Sequence, residues 1–147
     1  MNFFIRRLQL DLVPTSTNCA ILLLRIALGA QMLIGHGWGK LMSFSEKAAT
    51  FEDPLGVGNT TSMALAVFGE VVCSVLLIVG VFTRLAALGC AVTMSVAFFL
   101  VHGGKLSGEN SGEMAFLYLV GFVAILIAGP GRFALDTKLG GRSTADK

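Results

Sequence analysis

Charge is what this chain has least of. Only 14% of its 147 residues are Asp, Glu, Lys or Arg, where soluble domains carry roughly 25% to present a wetted surface. A soluble fold is therefore excluded, and lipid is the solvent left for the outer surface. Cysteine is also scarce. Cys19, Cys73 and Cys90 are solitary, and no C-x-x-C occurs, so neither a zinc site nor a dithiol relay is indicated. That counts against four-helix membrane oxidoreductases of the vitamin K epoxide reductase type, and buried small hydrophobes are the default reading of all three. The net charge is only +2 and forms no basic face, which excludes nucleic acid as a partner. A secretory signal is not indicated either. The apolar run Ala20–Leu24 is broken by Arg25 before it reaches the needed length, and no cleavage site follows.

What is present is hydrophobic length. Hydrophobic residues make up 54% of the chain, and a membrane-crossing helix needs about 20 of them in a row. Four stretches qualify, at about 18–41, 62–81, 85–102 and 113–129. The expected fold is an all-α, four-helix transmembrane bundle over 18–131. It lies between an N-terminal segment, 1–17, and a tail, 132–147. Met1–Val13 mixes apolar residues with Arg6, Arg7 and Asp11, a composition compatible with a short interfacial helix that Pro14 would separate from the first span. Gly129-Pro130-Gly131 ends the fourth span.

Lysine and arginine set the orientation. Arg6, Arg7, Arg84, Arg132, Lys138, Arg142 and Lys147 fall on the termini and the middle loop. The other two loops hold Lys40, Lys47 and Lys105 with most of the acids. Both termini are expected inside, N-in/C-in, in a multi-pass protein of the plasma (inner) membrane. The bilayer is then its first partner.

Ionisable groups within spans usually face the bundle interior or a cavity. At 100° per residue, Arg25, Met32 and His36 share one face of the first helix, and Lys40 continues it. Counting rise per residue puts His36, His102 and Glu113 in the same leaflet. With Glu70 and Tyr118 they form a candidate outer-leaflet polar pocket, rimmed by Lys40 and Lys105. The same count puts Arg25 within reach of Glu70, and a buried Arg25–Glu70 ion pair is expected. No metal site is expected, because the histidines and carboxylates come from separate helices without a ligand spacing. There is also an internal echo. Arg25-Ile-Ala-Leu-Gly is followed by His36-Gly-Trp-Gly-Lys-Leu, and Arg84-Leu-Ala-Ala-Leu-Gly by His102-Gly-Gly-Lys-Leu. The two offsets differ, so no single duplication aligns both.

The motifs L-L-R-I-A-L-G, H-G-W-G-K-L, G-E-V-V-C, G-V-F-T-R-L-A-A-L, V-H-G-G, G-E-M-A-F-L and G-P-G-R-F-A-L-D together resemble the DoxX family of small four-helix membrane proteins over residues 20–136. The positions matching its polar pattern are Arg25, His36, Lys40, Glu70, Arg84, His102 and Glu113. The family name is tied to DoxD, the membrane subunit of a thiosulfate:quinone oxidoreductase. The resemblance implies a membrane subunit of a quinone-linked oxidoreductase system serving thiosulfate, thiol or oxidative-stress chemistry. Quinone would be its ligand and a soluble or membrane oxidoreductase its partner. More distant relatives imply the alternative, a non-enzymatic scaffold or assembly factor. No catalytic residue is implied. A transporter or channel is the weakest reading for four helices, although a homo-oligomer could enclose a path. A continuous cavity joining Glu70 to the histidines would favour the ligand; tight packing around Gly69 and Cys73 would favour the scaffold.

Overall fold

The computed structural model describes residues 16–139. The expected interfacial helix lies outside them, as do Arg6, Arg7, Arg142 and Lys147. The described residues are helical, with no strand among them. Four long helices run α1 (Thr17–Met42), α2 (Asn59–Val79), α3 (Thr83–Val101) and α4 (Glu113–Ala128). The first three are long and apolar enough to cross a membrane, and α4 has 16 residues. Each helix packs against its neighbour in sequence, and α4 closes the ring by packing on α1.

The surface is what a bilayer requires. Leu23, Ile34, Leu85 and Ile127 are 67–74% exposed, and large apolar side chains cover every helix. A bare surface of this kind would aggregate in water; in lipid it is solvated. This is a helical membrane protein. Inside, Met32, Leu77, Ala87, Cys90, Phe98, Tyr118, Phe122 and Ile125 form one core shared by all four helices.

Polar groups are spent mainly on helix ends, where backbone donors and acceptors lack intrahelical partners. The Ser16 hydroxyl accepts from Cys19 N–H at the start of α1 (3.2 Å). At the start of α2, the Asp53 carboxylate accepts from Val57 N–H (3.0 Å), Gly58 N–H (2.7 Å) and the Ser62 hydroxyl (2.6 Å). These bonds, Ser62's first, hold the Asp53 carboxyl below its ordinary pKa. Asp136, on a short helix Leu135–Leu139, plays the same part for α3. Its carboxylate accepts from Phe82 N–H (2.7 Å) and Thr83 N–H (2.8 Å). Partial burial opposes ionisation of Asp136. The Thr83 and Phe82 hydrogen bonds and the charge of Arg25 outweigh it, so its pKa is also depressed.

Three of the long helices contain a π-helical stretch: Leu33–Gly37 in α1, Phe68–Val72 in α2 and Val96–Val101 in α3. Their i→i−5 bonds include Trp38 N–H to Leu33 O and Cys73 N–H to Phe68 O, with His102 N–H to Ala97 O at 3.0 Å. Such stretches are rare in helices and concentrate at functional sites. Here they contain His36 and Glu70 and end at His102.

Candidate functional site

Arg25 does not meet Glu70. Its guanidinium, 1% exposed, donates to Leu77 O (3.0 Å), Ile78 O (3.2 Å) and Pro130 O (2.8 Å). Two of these are unpaired carbonyls in the last turn of α2, the negative end of its dipole. Glu70 lies seven residues before Leu77, about 10 Å up the helix, and that rise separates the two groups. The α2 terminus is itself shaped for this contact. Gly80 has φ +81° and donates to Leu76 O (2.8 Å), and any Cβ on it would collide with Arg25 and Ala134. Arg84 does the matching job more loosely on α4, donating to Ile127 O at 3.4 Å. The sequence echo around the two arginines thus has a structural meaning. The arginine on the first helix of each hairpin caps the end of the second.

Glu70 pairs instead with Lys40. The ammonium contacts both carboxylate oxygens at 2.6 Å. The glutamate side chain is 5% exposed and the lysine 31%, so the carboxylate is deep while its partner reaches outward along an aliphatic stem. The expected single stripe of Arg25, His36 and Lys40 assumed an unbroken α-helix. The π turn at Leu33–Gly37 holds one residue more than an α turn and rotates everything after it. Lys40 and Arg25 both reach α2, at different heights: Lys40 meets Glu70, and Arg25 the carbonyls at the helix end. Gly37 sits where a Cβ would lie 2.7 Å from Glu70 O, so the two π stretches pack directly together.

Beside this ion pair lies a cavity of about 670 Å³ between α2 and α3. Its walls are mainly apolar: Leu65, Phe68, Leu76, Leu85, Leu88 and Val92. Several of these are about half exposed, so the cavity opens sideways, between the helices, to the hydrocarbon. Phe51, Glu52, Pro54 and Leu55 line its loop end, on the segment that Asp53 ties to α2. Lys40, Glu70, Cys73 and His102 all contribute to the wall. A volume of this order suits one small-molecule headgroup, and an apolar lining with a few polar groups is the usual make-up of a ligand site.

The expected polar pocket is therefore divided. Glu70 and His102 share the cavity with Lys40. His36 is elsewhere, its ring edge-on to Tyr118 at 5.5 Å between centroids, and Tyr118 is buried against Phe122. Glu113 is exposed at the start of α4, and Lys105 is exposed in the loop before it. His102 Nδ1 lies 3.2 Å from the Asn110 carbonyl. Nδ1 also lies 3.1 Å from the Asn110 side-chain oxygen; both oxygens only accept, so Nδ1 is the donor. Among the described residues no three His, Cys, Asp or Glu cluster as metal ligands.

Sequence reasoning missed two features. Cys73 and Cys90 are not solitary in space. Cys90 Sγ lies 3.3 Å from Gly69 O and 3.9 Å from Ser74 Oγ, and Cys73 Sγ sits against Gly89, the neighbour of Cys90. The available signal was depth, since both lie near the middle of adjacent antiparallel spans. The other feature is Asp136, for which the very short turn between α2 and α3, unable to cap itself, was the clue.

Comparison with known proteins agrees with a membrane protein. A protein of Haemophilus influenzae described as uncharacterized is 38% identical over 116 residues, covering 74% of this chain and 83% of the relative. An uncharacterized membrane protein of Mycobacterium tuberculosis is 30% identical over 145 residues, covering 90% and 86%. No solved structure matches significantly. The DoxX family model matches residues 20–103, which contain the Lys40–Glu70 pair, the π-helical stretches and the cavity between α2 and α3, and the chain belongs to the DoxX family.

Proposed function

We propose that this protein is a membrane subunit of a quinone-linked oxidoreductase system, and that its cleft between α2 and α3 receives the quinone headgroup from the bilayer. The observation that carries this reading is the cleft itself: apolar, open sideways to lipid, and lined in part by Lys40, Glu70 and His102. A quinone needs apolar contact for its ring and tail, a hydrogen-bond donor at a carbonyl, and a group that exchanges protons when it is reduced. Lys40 supplies a donor and Glu70 a proton-exchanging carboxylate.

The chain carries no cofactor motif of its own, so a partner protein is the ultimate source of the electrons in this reading. In this reading all four long helices cross the plasma membrane. The turn between α2 and α3 and both termini are cytoplasmic, as the distribution of Arg and Lys favours, and the polar part of the cleft lies in the outer half. Reporter fusions at the 42–58 loop and at the C-terminus test that orientation: a cytoplasmic loop would overturn it.

The function is tested by native mass spectrometry of protein purified in mild detergent, with wild type beside Glu70→Gln and His102→Ala. Quinone that travels with wild type and is lost from both variants is the expected result. Wild type carrying only bulk phospholipid, or quinone indifferent to both changes, overturns it. The scaffold reading then takes its place. In its favour is the close packing of α2 on α3, where Gly69 faces Thr93 without room for a Cβ.

A further inference from the structure

Two of the three thiols lie on facing turns of α2 and α3 beside the cleft. Cys73 is on α2, one turn beyond Glu70, and lines the cavity. Cys90 is on α3 behind it. Both are buried, at 3% and 1% exposure. Cys19, at the far end of α1, is exposed and apart from them.

The local packing is specific to this arrangement. Gly89, beside Cys90, leaves the space in which Cys73 Sγ sits: a Cβ there would lie 2.5 Å from that sulfur. Gly69, four residues before Cys73, accepts from Cys90 Sγ at 3.3 Å. Each helix thus places a glycine opposite the other's cysteine. That lets the two backbones approach closely, and a disulfide needs Cα atoms within about 7 Å. Ordinary core packing of two small residues does not call for this reciprocal placement, nor for one of the thiols to open on a cavity.

We infer that Cys73 and Cys90 form a redox-active dithiol that delivers two electrons to a quinone held in the cleft, an inference that rests on the quinone reading above. In the reaction two S–H bonds break and one S–S bond forms between α2 and α3. The quinone is reduced to its hydroquinone, its two carbonyl oxygens receiving the two electrons and the two protons that leave the thiols. Cys73 is the sulfur that faces the quinone, and Cys90 closes the disulfide. Glu70, on the same wall, is placed to pass the Cys73 proton onward, since the thiolate is the reacting form.

The test uses the full chain in detergent, reduced, freed of reductant and kept anaerobic. The probe is a short-tailed benzoquinone substituted at every ring position, which thiols cannot alkylate. Accessible thiols are then counted by maleimide tagging of the denatured protein, hydroquinone is followed by absorbance, and retained quinone is measured by native mass spectrometry. The expected result is the loss of two thiols per chain with one hydroquinone formed, leaving Cys19 as the tagged residue. Cys73→Ser and Cys90→Ser should each lower the reduction rate to background, and Cys19→Ser should leave it unchanged. The wild-type thiol count decides the matter even if a serine variant fails to fold. Quinone retained with all three thiols still tagged overturns the dithiol and leaves the quinone site standing. Quinone neither retained nor reduced overturns both.

Discussion

The two ends of the bundle solve the same problem in opposite ways. At the turn end, where α2 gives way to α3, the charged side chains of Arg25 and Asp136 are matched to backbone partners. Arg25 spans three carbonyls, Asp136 caps α3 and also donates its own N–H to Gly80 O (2.9 Å), and Gly80 turns left-handed to admit both neighbours. Toward the loop end, Lys40 and Glu70 are matched to each other beside the polar part of the cleft, and the helices contain π-helical stretches. The first arrangement is a lock, its charges held by fixed backbone groups. The second keeps a Lys–Glu pair beside an apolar cavity, where either partner can exchange its contact for a ligand. Stability is thus concentrated at one end, and adaptability at the other.

The sharpest way to break this contrast is Arg25→Met. It removes the donors for three carbonyls, two of them in the last turn of α2. We expect a loss of at least about 3 kcal/mol, since each bond to a charged donor contributes about 1.5–3 kcal/mol, read as a large fall in unfolding temperature in detergent. Arg25→Lys should recover only part of it, because an ammonium lacks the planar fork. Next comes Gly80→Ala. The left-handed backbone alone costs roughly 1–2 kcal/mol for a residue with a Cβ, and collision with Arg25 and Ala134 adds to it. Thermal unfolding should place this variant between Arg25→Met and wild type.

Asp136→Asn is smaller and carries a pH signature. Its folded pKa is depressed, so its stabilisation is fully present above the ordinary carboxylate range near 4 and is lost as pH falls through the lower folded value. A helix cap of this kind contributes about 1 kcal/mol. Wild type should therefore shed about that much on acidification, and the variant should not. The smallest effect belongs to the loop end. Glu70→Gln should change stability by less than about 1 kcal/mol, because the amide still accepts from Lys40 and the half-exposed lysine can turn to water. Unfolding curves for Arg25→Met and Glu70→Gln measured side by side test the contrast directly: a larger loss in the glutamate variant would reverse it.

Some of this was legible in the sequence. Uninterrupted apolar runs with glycine and proline punctuation located the helices, because membrane-spanning helices must be long and satisfy their own backbones. The polar residues Arg25, Lys40, Glu70 and His102 stood out because each is costly in an apolar run. Their pairing did not. A wheel turned at a constant 100° per residue cannot represent a π-helical turn, and two such turns lie directly at His36 and Glu70. Nor does a wheel contain backbone carbonyls, which are the partners Arg25 chose. Rise along the axis brought Arg25 toward Glu70, but the free acceptors at the end of α2 were nearer. The pairing of Cys73 with Cys90 depends on the register of α2 against α3, and that register is set by Gly69 and Gly89, small residues whose opposite numbers no periodicity reveals.

The Arg25 lock also has an order in time. Its acceptors lie 52, 53 and 105 residues further along the chain, and synthesis proceeds from the N-terminus. Once α1 and α2 are in place, Leu77 and Ile78 are available, while Pro130 arrives only after α4, and Asp136 later still. Until then a buried guanidinium lacks part of its shell. A chain that stops before Pro130 carries an exposed cationic defect in lipid, and a completed one does not. The segment after α4 therefore completes a site that α1 opens, and the two are joined only late in synthesis.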